Sequence, residues 1–209
     1  KLGTYASQAV NTFDGVTYAG SEGGVGSNES LQIDAPGNVF GDVHSGPGFT
    51  PNVNPSAHVS GEIGSLAEPI DLTPIPVPIV LPGLAYNVPN NATKTITPGT
   101  YHFPAVTQGK FSKLRIIGPA TLVWDSYMTG VSATLEVDCT NGPITIYDTG
   151  MWKVDKNYKV GPAPGTPLDA AFLISSVGTV QFNQGSQIGV GFYAPNSRIQ
   201  VDQGAEVWG

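Results

Sequence analysis

Val180-Gln181-Phe182-Asn183-Gln184-Gly185-Ser186-Gln187-Ile188 aligns without a gap on Ile199-Gln200-Val201-Asp202-Gln203-Gly204-Ala205-Glu206-Val207, a displacement of 19 residues. Apolar residues fall on apolar residues and glycine falls on glycine. Working outward, Asn38-Val39-Phe40-Gly41-Asp42-Val43 lies over His58-Val59-Ser60-Gly61-Glu62-Ile63 at a displacement of 20. Leu31 to Gly41 also lies over Ile199 to Gly209, eleven positions without a gap, and Leu114 and Ile116 recur as Leu135 and Val137, 21 residues on. Short strands repeating at this period with Gly or Asn corners are the pattern of a β-solenoid, whose coils stack through parallel ladders and pool their inward Val, Ile, Leu and Phe. The fold expected is all-β, a right-handed parallel β-helix with coils of about 19–23 residues, since parallel crossovers are right-handed. The variable coil length argues against a strict hexapeptide left-handed helix.

Composition agrees. Of 209 residues, 27 are Gly and 18 are Pro, which disfavours helix interiors. Charged residues make up 12 %, and 9 Lys+Arg against 16 Asp+Glu leave a formal charge of −7. Nucleic acid is therefore excluded as a partner, because there are no surplus cations to neutralise phosphates. The single cysteine, Cys139, rules out a disulfide within the chain and a multi-cysteine metal cluster. No apolar run approaches a membrane span, and no signal peptide is visible. Low Lys and Arg with abundant Thr, Asn and Gly place the expected location outside the cell or at a bacterial surface.

The chain reads as one domain, 1–209. Residues 1–30 form a loop-rich N-terminal segment, 31–63 the first coils, 64–98 a Pro-rich crossover and 99–209 the main coils. The crossover carries five prolines between Glu68 and Pro82. Such a segment is extended and cannot be a central ladder member. It is expected to run along the solenoid flank from one end to the other, a path that stacks C-terminal coils on N-terminal ones.

Several of these residues resemble a known bacterial family. They are Asn38-Val39-Phe40-Gly41-Asp42-Val43 with Gly46-Pro47-Gly48, the proline-rich crossover, and Thr97-Pro98-Gly99-Thr100-Tyr101-His102-Phe103. With them go Ile117-Gly118-Pro119-Ala120-Thr121-Leu122-Val123, Gly191-Phe192-Tyr193-Ala194-Pro195-Asn196 and Val207-Trp208-Gly209. The resemblance is to the β-helical domain of exported surface proteins, often found behind a PilX-like type IV pilin segment, and it covers about residues 25–209. It implies a secreted or pilus-associated structural or adhesive β-helix, and it brings no catalytic residues. The hydrophobic pilin-type helix is missing from this chain.

No catalytic, cofactor-binding or metal-binding set emerges from the residues. His44, His58 and His102 lack the i, i+4 spacing that places ligands on one face. Glu136, Asp138 and Asp148 could form a glycosidase pair across coils about 4.8 Å apart, but they alternate with inward Leu135, Val137 and Ile146 and read as solvated outward residues. Asp34 and Asp202 sit at equivalent corners as turn formers. Thr93, Thr95 and Thr97 alternate without recurring in the next coils. Trp152, Lys153, Lys156, Tyr158 and Lys159 read as an insertion loop that could serve recognition. The end-to-end match makes Leu31, Ile33, Val39 and Phe40 one assembly end and Ile199, Val201, Val207 and Trp208 the other. One subunit's last coil would then continue onto the next subunit's first, a non-closing contact that builds a filament. The function expected is non-enzymatic and structural, with self-association as homo-oligomer or filament. The alternatives are an adhesin binding a cell-surface glycan, which needs an exposed aromatic row, and a polysaccharide-cleaving enzyme, which needs clustered acids and arginine.

Overall fold

Alternating apolar residues with Gly, Asn or Asp corners produce eight coils, counted along a continuous eight-stranded parallel sheet. The computed structural model describes residues 10–13, 16–19, 25–39, 41–69, 75–163, 170–176, 178–194 and 197–207. Coil 1 holds strands Tyr86–Val88, Thr93–Ile96 and Gly99–Phe103, and coil 2 begins with Val106–Gln108 and Lys113–Ile117. Two long strands, Ala120–Thr129 and Ile144–Lys153, each end one coil and begin the next, and Thr134–Asp138 lies between them in coil 3. Coil 4 continues with Lys159–Pro162 and Ala170–Ile174, and coil 5 with Gly178–Phe182, Gln187–Ile188 and Gly191–Tyr193.

Coil 6 contains Ser197–Val201 and Glu206–Val207 from the C-terminal region. Its third side comes from the N-terminal region: Val25–Gly26 pairs in parallel with Val43–Ser45 of coil 7. Coil 7 also holds Gln32–Ile33 and Asn38–Val39, and coil 8 holds Asn52–Val53, His58–Val59 and Ile63–Ser65. The N-terminal Val10–Phe13 and Val16–Ala19 form an antiparallel pair inside the segment expected to be loop-rich.

Every alignment read from the sequence is a ladder. Val180 and Phe182 lie beside Ile199 and Val201, Val39 beside Val59, Val201 beside Ile33, and Leu114 beside Leu135. Coil length varies more than expected, since the register advances from Tyr127 to Trp152, 25 residues, in the middle of the stack. The crossover does carry the chain from coil 8 back to coil 1, a descent of seven spacings or about 34 Å. It is shorter than 64–98, because Tyr86–Val88 and Thr93–Ile96 already belong to coil 1. Pro82 is the last proline before Tyr86, so nothing prevents laddering from there.

One corner has a shared backbone conformation. Asn91, Phe111, Ser132, Asn157, Gly185 and Gly204 all have φ between 54° and 70°, in six successive coils. Along it, Phe111 N–H donates to Val131 O at 3.0 Å, Ser132 N–H to Lys156 O at 2.8 Å and Asn157 N–H to Gln184 O at 2.8 Å.

The core is a column of buried side chains with an aromatic spine. Trp124 stacks on Tyr127 at 4.6 Å, Tyr127 meets Trp152 at 4.8 Å, Trp152 meets Phe172 edge-on at 5.7 Å, and Phe172 stacks on Phe192 at 4.9 Å. Within it the buried Tyr127 and Tyr158 hydroxyls bond to each other at 2.9 Å, and Gln108 Oε1 accepts from Tyr127. Burial holds both phenols above their ordinary titration range.

Candidate functional site

The residues expected to form two assembly ends are instead joined inside the chain. Ile33 pairs with Val201 and Val39 with Val207, while the Leu31 carbonyl accepts from Asn52 N–H at 2.9 Å. Leu31, Ile33, Val39 and Val201 are buried, as is Ile199. The eleven-position match therefore records intramolecular stacking, made possible by the crossover, and these residues are not assembly ends. Phe40 and Trp208 lie outside the described residues.

The expected recognition loop is also corrected. Trp152 belongs to the long strand Ile144–Lys153 and is buried between Tyr127 and Phe172. Tyr158 is buried against Tyr127, and Lys159 ladders with Thr134 and Gln187. Lys153 and Lys156 are exposed. Lys156 borders a groove of about 350 Å³ with Asn157, Gln184 and Gln203 along the left-handed corner. The stretch looked irregular because its coil is longer than its neighbours.

The acids do not converge. Glu136 Oε1 accepts from Lys113 Nζ at 2.5 Å, and Asp138 Oδ2 accepts from Arg115 at 2.6 Å. The Arg115 guanidinium, helped by Thr140, holds the Asp138 carboxyl below the usual carboxylate range. Asp148 is the departure: it points inward, in register with Trp124 and Ile174, and is fully buried. Burial pushes it up to about 7, with Asp125 adding to the rise and the Gly150 amide opposing it. Asp34 and Asp202 are corner residues, their carbonyls accepting from Gly37 N–H at 2.7 Å and Ala205 N–H at 2.9 Å. Among the described residues no group of three or more His, Cys, Asp or Glu could hold a metal ion. Nor is any helix among them long and apolar enough to cross a membrane.

Outward columns are mostly polar. Thr93 and Thr95 ladder with Lys113 and Arg115, so that face is charged. Thr100, Thr121 and Thr145 do stack on another face, but the column passes to Ala171 and then Gly191. The large aromatics are spent on the internal spine. Phe49 and Phe111 are the exposed ones among the described residues and form no row.

The features that sequence reasoning missed are the two real ends and the clasp on the crossover. At coil 1, Tyr86 packs on Phe103 at 5.1 Å and Tyr101 stacks on Phe103 at 5.7 Å, closing the core so that Val88 and Ile96 are buried. Lys94 occupies an inward register position, beside the buried Leu114 of coil 2, and its ammonium lies 5.3 Å from the centre of the Tyr86 ring. A charge at an inward position is a device that blocks further strand addition. At coil 8, Val53, Ala57 and Val59 are only partly covered, and Ile63 is 49 % exposed. The N–H groups of Asn52, Asn54, His58, Ser60 and Leu66 donate to coil 7. Alternate residues of a parallel strand turn their backbone groups to opposite sides, so those of Val53, Val59 and Ile63 face the free end.

The crossover is tied to coil 1 at His102. Its Nδ1–H donates to Val80 O and its Nε2–H to Asp125 Oδ1, both at 2.9 Å, while the His102 carbonyl accepts from Gly83 N–H at 2.8 Å. Two acceptors, one for each ring nitrogen, require the imidazolium. The Val80 and Asp125 bonds raise its titration above the ordinary histidine value. Beyond the clasp, Ile79, Leu81 and Leu84 project into solvent.

A stack of eight parallel coils with a buried aromatic spine and no converging reactive groups among the described residues defines a β-solenoid scaffold. The chain belongs to the family described as "Domain of unknown function (DUF7305)", which matches residues 74–209. Among solved structures, the chain is similar to an ice binding protein from an Antarctic biological consortium, at 14 % identity and a TM-score of 0.45, covering 88 % of this chain and 85 % of that one. No curated protein matches the sequence.

Proposed function

We propose that this chain is a non-enzymatic structural module of an exported bacterial surface protein, a rigid spacer that works by its shape and its ends. The observation that carries this reading is where the chemistry went. The aromatics form an internal spine, Glu136 and Asp138 are neutralised by Lys113 and Arg115, and Asp148 is sealed in the core. That leaves neither the acid pair of a glycosidase nor the aromatic row of a glycan binder among the described residues. Low charge and a lone buried cysteine suit an extracellular setting. The resemblance to pilus-associated proteins fits the same reading. Antibody labelling of intact against permeabilised cells tests the location, and incubation with a polysaccharide panel tests the chemistry. Surface labelling without sugar release is expected; sugar release abolished by Glu136→Gln or Asp138→Asn would overturn the reading.

A further inference from the structure

We propose that coil 8 is a docking end for a second copy of this chain, so that two solenoids join tip to tip about a two-fold axis. The proposal rests on the reading of the chain as a structural module and names its partner.

Coil 8 presents three short strands, Asn52–Val53, His58–Val59 and Ile63–Ser65, around one open cross-section. Each runs two or three residues, too short to hold an isolated extended peptide by its own edge. A second coil of the same corner geometry engages all three edges at once and covers Val53, Val59 and Ile63. The coil-on-coil contact already used throughout the stack is the template, so docking continues an existing type of interface.

The geometry of the other end decides which coil docks. Coil 1 is closed by Tyr86, Tyr101 and Phe103, and Lys94 stands where the next coil would need an apolar inward residue. Head-to-tail growth is therefore blocked at its first step. Coil 8 is left as the single unsealed end among the described coils, and self-pairing through it is isologous and closes at two subunits. A two-fold axis reverses strand direction, so the new ladders are antiparallel, a pairing at least as stable as the parallel one. One coil end is smaller than the roughly 800 Å² per partner of a standard interface, so the dimer is weak and concentration-dependent.

Sedimentation velocity on the full chain from about 1 µM to 500 µM provides the test. The weight-average mass should rise from 21.7 kDa towards twice that value and stop there. Ile63→Lys, at a half-exposed position, should keep the melting temperature while holding the mass at one subunit at all concentrations. Should that variant lose its fold, Val59→Lys serves in its place. A wild-type monomer throughout overturns the proposal and assigns the cover of coil 8 to the chain's own N-terminal residues or to an unlike partner. Masses that climb past two subunits overturn it in favour of head-to-tail growth, and a dimer that survives Ile63→Lys places the contact elsewhere. None of these outcomes bears on surface location or absence of sugar release, so failure here is distinguishable from failure of the structural reading.

Discussion

Ile33 and Val201 stand side by side in one parallel ladder, and Asp34 N–H donates to Val201 O at 3.1 Å. The solenoid thus passes from the C-terminal region to the N-terminal region through space, with Val25–Gly26 completing the coil that Glu206–Val207 leaves open. The crossover between coil 8 and coil 1 is the detour required by that arrangement.

A circular permutant should therefore fold. Residues 84–209 followed by a linker of about four residues and then 25–69 would wind through the coils in spatial order, with the crossover cut. The linker replaces a corner like the one between Val39 and Val43 in coil 7. Cooperative unfolding within a few degrees of the parent is expected by circular dichroism. A permutant with β signal but no cooperative transition would show that the crossover is needed for more than connection.

Asp148 should set the pH dependence of stability. In the unfolded chain its carboxyl titrates near 3.9, whereas burial pushes it up to about 7 in the fold. Below about pH 4 both states hold the proton. Between about 4 and 7 the unfolded state releases it while the folded state retains it, so stability falls as pH rises and then levels off. The ceiling on that loss is about 4 kcal/mol. Asp148→Asn should remove the slope and raise the urea midpoint at pH 8. An unchanged slope in the variant would place the titration elsewhere.

The His102 clasp should behave in the same direction over a higher window. Its folded titration is raised by the Val80 carbonyl and by Asp125, so the stabilisation is complete below about pH 6.5 and is lost as pH rises through the folded value. The groups facing the ring are Val80 O and Asp125, the latter also accepting from Thr149 at 3.0 Å. Amide exchange at Gly83, corrected for its intrinsic pH dependence, should accelerate across that window. His102→Phe should show fast exchange at every pH, and equal protection in both proteins would remove the clasp.

The repeat made the stack and its register legible, because an apolar residue at a fixed offset must share a face with its counterpart. Val180 with Ile199 and Leu31 to Gly41 with Ile199 to Gly209 were enough to find the ladders. What the same matches could not distinguish is whether two alike coils meet within one chain or between two. Trp152 and Tyr158 were misplaced because their coil adds residues, which shifts the offset to 25 and hides the alignment with Tyr127 and Ala133. The seal at coil 1 was illegible for a different reason: Lys94 looks like any surface lysine until its register with Leu114 shows that it points inward.

Phe111 gives the last test, of the corner itself. It holds φ at 54° in a column where Asn91 and Asn157 stand at 56° and 57° and Gly185 and Gly204 at 70° and 65°. Asn and Gly tolerate this region; a bulky side chain there costs roughly 1–2 kcal/mol. The Phe111 ring is 63 % exposed and so recovers little of that by packing. Phe111→Asn should therefore stabilise the protein by about 0.5–1 kcal/mol, keeping the bond from its N–H to Val131 O. Phe111→Gly should gain less, because glycine frees the unfolded chain. Gly185→Ala should do the reverse: its Cβ would lie 2.3 Å from Asn157 Oδ1, on a backbone already at positive φ. Urea midpoints of the three variants decide the matter. A destabilised Phe111→Asn would mean that the ring is held by a contact worth more than the strain of its backbone.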